Sequence, residues 1–174
     1  RLGRSILELG GNNAIIITES ADLKMTVTAA VFGAIGTAGQ RCTSTRRLII
    51  HESIYDKVCN SICDAYKQIK IGSPLDTKNH MGPLIDSDAV NNYLQSLKDV
   101  EKQGGNFLLK GDQLKGESYS SNCYVTPSIA EVENIWDVVQ HETFAPLLYV
   151  MKYSDLKEAL NTQNNVPQGL SSAI

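Results

Sequence analysis

No stretch of the 174 residues approaches the ~20 consecutive apolar positions that a membrane-spanning helix needs. An excess of one charge sign is also missing. Sixteen Lys and Arg against 19 Asp and Glu leave a formal net charge of −3, and the basic residues are scattered. That distribution lacks the electrostatic footprint of a nucleic-acid binder. The four cysteines, Cys42, Cys59, Cys63 and Cys123, are too sparse for a disulfide scaffold, so free thiols in a reducing compartment are expected. The chain starts without the basic, apolar and small-residue succession of a secretory leader. Internal repeats, low-complexity runs and interior linkers are absent as well. These absences leave a soluble globular chain, 42% hydrophobic and 20% charged, read as one domain. Such a chain is long enough to bury roughly 70% of the surface its unfolded form exposes. It opens on Arg1 and closes on GLSSAI, which reads as a strand in mid-course, so a piece of a larger protein is expected.

What is present is an alternation of two hydrophobic periods. SILEL and NAIIIT read as two strands around GGN, and RRLIIH, NFLLK, LLYVMKY and GLSSAI as further strands. YVTPSIAEV is extended but interrupted by Pro127, which places that part on a sheet edge or in a loop. Helical spacing runs from Asp22 to Ala38, with Leu23, Val27, Val31 and Ile35 on one face, Ala30 and Ala34 beside them, and Asp22 in the first turn. Gly36 and Gly39 stop it before Cys42. A second helix covers 53–70, with Ser53 and Asp56 at capping-box spacing and Tyr55, Val58, Cys59, Ile62, Tyr66 and Ile69 as its apolar face. A third spans about 87–103 on Val90, Tyr93, Leu94, Leu97 and Val100, and a short one follows the cap Ser154. Strands alternating with helices predict an α/β fold: three αβα layers, a mostly parallel sheet with helices on both faces.

Three short stretches carry candidate chemistry. In GTAGQRCTSTRR, Cys42 follows a helix end rather than sitting on an apolar face. Arg41 adjoins it and Arg46 and Arg47 lie near, and positive charge favours the reactive thiolate. The competing reading is a small, buried, inert cysteine. A papain-like mechanism needs His and Asn partners, and His51, His80 and His141 carry no such local signature. Glu8, inside LELGG, is either an outward residue of an edge strand or a buried carboxylate poised as a general base. Cys59 and Cys63 have i, i+4 spacing, but Cys59 shares the apolar face and no further Cys or His pair follows at zinc spacing, which favours core packing. HETFAP, residues 141–146, suggests on its own only a loop.

Together, LELGG at Glu8, GQRC at Cys42 and HETFAP at Glu142 resemble the aldehyde dehydrogenase superfamily in kind, order and spacing, and the resemblance runs the length of the chain. GTAGQRCT and HETFAP, where many relatives have Gly in place of Ala145, resemble its antiquitin branch, whose substrate is α-aminoadipic semialdehyde. The resemblance implies Cys42 as nucleophile, Glu8 as the base for thioester hydrolysis, and the Cys42 backbone amide as an oxyanion donor. It further implies NAD as cofactor, held by Glu142, Phe144 and the backbone of Leu9, with Arg41 and Thr43 flanking the substrate. No metal is implied. The expected partner is a small aldehyde, not nucleic acid or membrane, and the parent is expected to be a homo-oligomer, dimer or tetramer. Residues 1–174 would form the catalytic domain, with 1–10 the junction to an upstream coenzyme-binding domain, and the piece alone would not turn over. The expected location is the cytoplasm or, with the N-terminus missing, the mitochondrion. Two alternatives stay open: another subfamily with a different semialdehyde substrate, and a non-catalytic module that keeps the fold.

Overall fold

The computed structural model describes residues 2–174. Six strands form one sheet: β1 (Asn13–Ile17), β2 (Thr45–His51), β3 (Asn106–Leu109), β4 (Ser128–Glu131), β5 (Leu147–Tyr153) and β6 (Ser172–Ala173), in the order β3-β4-β5-β2-β1-β6. All neighbours run parallel except β3 with β4. Thr45 to Ile50 of β2 are buried without alternation, which requires cover on both faces of the sheet. The helices supply it: α1 (Leu23–Ile35), α2 (Tyr55–Tyr66), α3 (Ser87–Lys102), the short α4 (Asp137–Gln140) and α5 (Leu156–Asn164). The α/β architecture expected from the alternating periods is therefore present.

Several local expectations need correction. SILEL forms no strand; residues 2–12 carry no regular secondary structure, and Ile6, Leu7 and Leu9 are exposed. The cause is topological. β1 already has β2 on one side and β6 on the other, so an added strand would find no free ladder beside it. Pro127 does not place its segment at an edge, because β4 lies between β3 and β5. The ladder begins one residue later, where the Ser128 N–H donates to the Pro146 carbonyl (2.9 Å), so the missing proline donor breaks nothing.

The caps also shift. Asp22 is not in the first turn of α1 but its N-cap, accepting from the N–H groups of Lys24 and Met25. α2 has no side-chain cap; a 3₁₀ turn over Glu52–Ile54 precedes it, and His51 Nδ1 accepts from Ser53 N–H. Asp155, not Ser154, caps α5, while Ser154 donates to Glu158. The fully buried residues of α1 are Ala30, Ala34 and Ile35, with Leu23, Val27 and Val31 only partly covered. Small side chains let α1 lie close against its neighbours. α2 and α3 bury the faces expected of them, except that Ile69 and Leu94 are only partly covered.

Candidate active site

β5, β2 and β1 are adjacent and parallel, so the segments that lead into them meet at one end of the sheet. Those segments are 141–146, 40–44 and 8–12. The three stretches singled out in the sequence thus converge because the chain enters three neighbouring strands from the same side.

α1 ends at Ile35, and the chain then turns sharply. Thr37, Ala38 and Gly39 are consecutive left-handed residues, with φ of 57°, 54° and 70°. For the first two this costs about 1–2 kcal/mol each. Gly39 is fixed by contact as well, since a Cβ there would lie 2.4 Å from the Ala145 carbonyl oxygen. Gln40 ties the turn to the proline-rich loop, accepting from Ile85 N–H (2.8 Å) and donating to the Pro83 carbonyl (3.3 Å).

Cys42 follows, exposed in a turn closed by Ser44 N–H donating to the Arg41 carbonyl (3.0 Å). The inert buried reading therefore does not describe it. Its carbonyl is held by Asn13 Nδ2 (2.7 Å), which also donates to the Ser44 carbonyl (2.9 Å), while Asn13 Oδ1 accepts from Ser171 N–H (3.1 Å). Among the described residues the Cys42 N–H donates to no protein atom. An exposed thiol and a free N–H on a turn fixed by its carbonyl are the elements that nucleophilic attack on a carbonyl carbon requires.

The arginines divide the work differently from the sequence expectation. Arg41 is exposed, with its guanidinium carbon 5.3 Å from the Phe32 ring centroid. Together they line an apolar groove of about 580 Å³ with Val27, Val31 and Ile35. Arg46 and Arg47 are buried, and neither side chain reaches the thiol with a hydrogen bond. Arg47 gives all five donors elsewhere: to the Asn12 carbonyl from Nε and Nη2, to Asn134 Oδ1, and to the Thr162 and Gln163 carbonyls at the end of α5. Burial pulls its pKa down to about 10. Arg46 pairs with Glu142 (3.4 Å) and donates to the carbonyls of Arg41 and Ala145. Burial lowers its pKa, with Glu142 opposing the shift.

Glu142 Oε1 also accepts from Gly11 N–H (3.3 Å), and its Oε2 rests where a Cβ on Gly10 would come within 2.1 Å. The glycines of LELGG thereby let the carboxylate meet the backbone. Phe144 is 45% exposed and, with Glu142, borders a larger polar groove of about 770 Å³ beside α3. Glu8 and Leu9 lie on the exposed entry segment just before Gly10, and Glu8 makes no hydrogen bond or ion pair among the described residues. Thr43 is exposed beside Cys42. The structure thus brings Cys42, Glu142 and the Gly10–Gly11 backbone together, while Glu8 is held by nothing but its neighbours in sequence.

Sequence reasoning passed over Asn13, took Gln40 only as a small or polar flank of Cys42 that leaves room for a ligand, and missed the partners of Arg46. Asn13 had a readable signal: an amide opening an apolar strand, where its side chain can bond neighbouring backbone. Cys59 lies in the core, where burial pushes its thiol up to about 12. No three His, Cys, Asp or Glu side chains converge as a metal site among the described residues.

The chain is similar over its whole length to known proteins. Residues 1–174 match the aldehyde dehydrogenase family. Aldehyde dehydrogenase family 7 member A1 of Pisum sativum is 46% identical over 174 residues, covering 100% of this chain and 34% of the relative. Alpha-aminoadipic semialdehyde dehydrogenase of Bos taurus is 46% identical over 175 residues, 100% of this chain and 32% of that protein. The crystal structure of betaine aldehyde dehydrogenase from Staphylococcus aureus in complex with NAD+ superposes with a TM-score of 0.92 at 28% identity, over 96% of this chain and 33% of that one. The chain spans about a third of the length of the curated relatives it matches. With its whole length matched and its three signature stretches gathered at one end of the sheet, the chain belongs to the aldehyde dehydrogenase family.

Proposed function

We propose that this chain is the nucleophile-bearing catalytic domain of an NAD-dependent aldehyde dehydrogenase that oxidises an aldehyde to a carboxylic acid. The observation that carries the reading is the Cys42 turn: an exposed thiol whose carbonyl is pinned by Asn13 and whose N–H is uncommitted among the described residues. Cys42 Sγ, as thiolate, adds to the aldehyde carbon and forms a thiohemiacetal. Its backbone N–H donates to the oxygen that gains charge. A nicotinamide dinucleotide, when bound, supplies the acceptor for the hydride lost as the thiohemiacetal becomes a thioester. Glu8 takes a proton from water, the water oxygen attacks the thioester carbon, and the C–S bond breaks to return Cys42 and release the acid. Sulfur capture divides one difficult oxidation into two easier steps.

The residues present fit the dinucleotide. Glu142 offers a carboxylate to sugar hydroxyls, and Phe144 offers an exposed ring at the rim of the same groove. The Leu9 backbone, exposed beside Gly10, is the third contact assigned to it. The identity with the Bos taurus enzyme supports α-aminoadipic semialdehyde as substrate, with Arg41 and Thr43 beside it. A homo-oligomeric parent belongs to the same reading.

Cys42→Ser in the full-length protein tests it. Aldehyde-dependent NADH formation should fall by roughly 10³-fold or more, because a hydroxyl at neutral pH is a far weaker nucleophile than a thiolate. NAD+ binding, measured by titration, should persist. Retention of more than a tenth of the rate would remove Cys42 from the mechanism.

A further inference from the structure

Arg46 is 2% exposed and spans two of the three stretches that form the site. From one guanidinium, Nη2 donates to the Arg41 carbonyl (3.2 Å) and to Glu142 Oε1 (3.4 Å), and Nη1 donates to the Ala145 carbonyl (3.1 Å). The guanidinium carbon stands 5.4 Å from the Phe144 ring centroid. One side chain therefore touches the residue before the nucleophile, the carboxylate assigned to the cofactor sugar, and the ring assigned to its nicotinamide end.

We propose that Arg46 is a positioning residue that locks the Cys42 turn and the Glu142–Phe144 pair into one register, so that it sets dinucleotide affinity and the alignment of the bound cofactor with the thiol. The inference rests on the reading above, in which Glu142 and Phe144 face the cofactor.

Three observations carry it. First, Glu142 has little else to hold it: Gly11 N–H at 3.3 Å is its one other hydrogen bond among the described residues. Without Arg46 the carboxylate hangs from a single long bond and can swing into the groove. Second, the contacts need a planar fork. Three oxygens from two segments are met by Nη1 and Nη2 while the guanidinium carbon stands over the Phe144 ring. An ammonium is a compact point donor with no flat face. Third, the position is not a natural one for stability. Nε of Arg46 is buried with no partner among the described residues, whereas Arg47 next to it places all five donors. A buried cation left partly unsatisfied is weak evidence of a stabilising role.

The test compares Arg46→Lys and Arg46→Met with the parent sequence in the full-length protein. NAD+ dissociation constants come from direct titration, and steady-state kinetics give separate constants for NAD+ and aldehyde. Arg46→Met should raise the NAD+ dissociation constant roughly tenfold, and the KM for NAD+ with it, while the aldehyde KM stays within about twofold. Arg46→Lys should recover only part of the loss, with a dissociation constant still at least about threefold above the parent's. A merely structural role predicts otherwise: a lower melting temperature and less active protein, with an unchanged NAD+ constant for the folded fraction. That result, in either variant, overturns the proposal, and if Arg46→Met does not fold the lysine variant decides alone. Failure of the unsubstituted protein to bind NAD+ would instead defeat the cofactor reading, and the role of Arg46 with it.

Discussion

The two carboxylates assigned to the chemistry are in opposite physical states: Glu142 is clasped by the chain, and Glu8 is not. Glu142 lies in a corner where Gly11 N–H, Arg46 and the bare Cα of Gly10 define its place. Glu8 lies on the entry segment 2–12, exposed and without a hydrogen bond or ion pair among the described residues. The corner at residues 36–47 and 141–146 is built by this chain's own contacts, down to two non-glycine residues held left-handed. The entry segment shows exposed apolar side chains, Ile6, Leu7 and Leu9. Burying one such side chain is worth about 1.5–3 kcal/mol. The corner is thus specified by contacts within the chain, whereas the exposed side chains of the entry segment add no such burial.

The largest expected effect separates catalysis from folding. In the full-length enzyme, Glu8→Gln should slow thioester hydrolysis by about 10²–10⁴-fold, the usual worth of a general base. Mass spectrometry of protein quenched during turnover should then show an acyl adduct on Cys42. The same substitution should leave the unfolding free energy from urea denaturation within the small range of exposed changes, about 0.5 kcal/mol. A normal rate without adduct would take Glu8 out of the mechanism and leave the entry segment with no chemical role.

The second test sets one glycine from each region side by side. Gly39→Val puts a branched side chain at φ 70° and against the Ala145 carbonyl, and should cost about 3 kcal/mol or more. Gly3→Val meets nothing within 4 Å and should change stability by less than about 0.5 kcal/mol. Chemical denaturation of both variants checks the contrast. Similar losses would mean that the entry segment is packed after all.

How much of this was legible beforehand follows the same division. The sheet and its helices were readable because period-2 and period-3.6 patterns hold wherever one chain covers its own apolar faces, as in RRLIIH, LLYVMKY and the stripe from Val90 to Val100. SILEL misled because its alternation is real but both sides of β1 are already taken by β2 and β6. Pro127 misled because a proline before a strand reads the same as one inside it, and only the Ser128 to Pro146 bond tells them apart. In the site, Cys42 and Glu142 could be found from their stretches. Their supports could not: Asn13 reaches Cys42 across 29 positions and Arg46 reaches Glu142 across 96, and no local pattern encodes such distances.

The smallest effect concerns Arg41, which belongs to the corner in sequence but faces away from its hydrogen-bond network. Its guanidinium lies over Phe32 at the apolar groove and has no carboxylate partner among the described residues. α-Aminoadipic semialdehyde carries an aldehyde at one end and an amino acid at the other, so with the aldehyde at Cys42 its far end needs a donor for a carboxylate. A guanidinium on an apolar wall meets that need bidentately. The rival role is to favour the Cys42 thiolate by charge alone. Recognition predicts that Arg41→Ala in the full-length enzyme raises KM for this semialdehyde roughly tenfold while hexanal stays within about twofold, and that Arg41→Lys falls between. Thiolate tuning predicts equal kcat losses for both aldehydes and slower alkylation of Cys42. Alkylation at an unchanged rate, together with a selective rise in KM, would assign Arg41 to the substrate and leave the nucleophile to the turn that holds it.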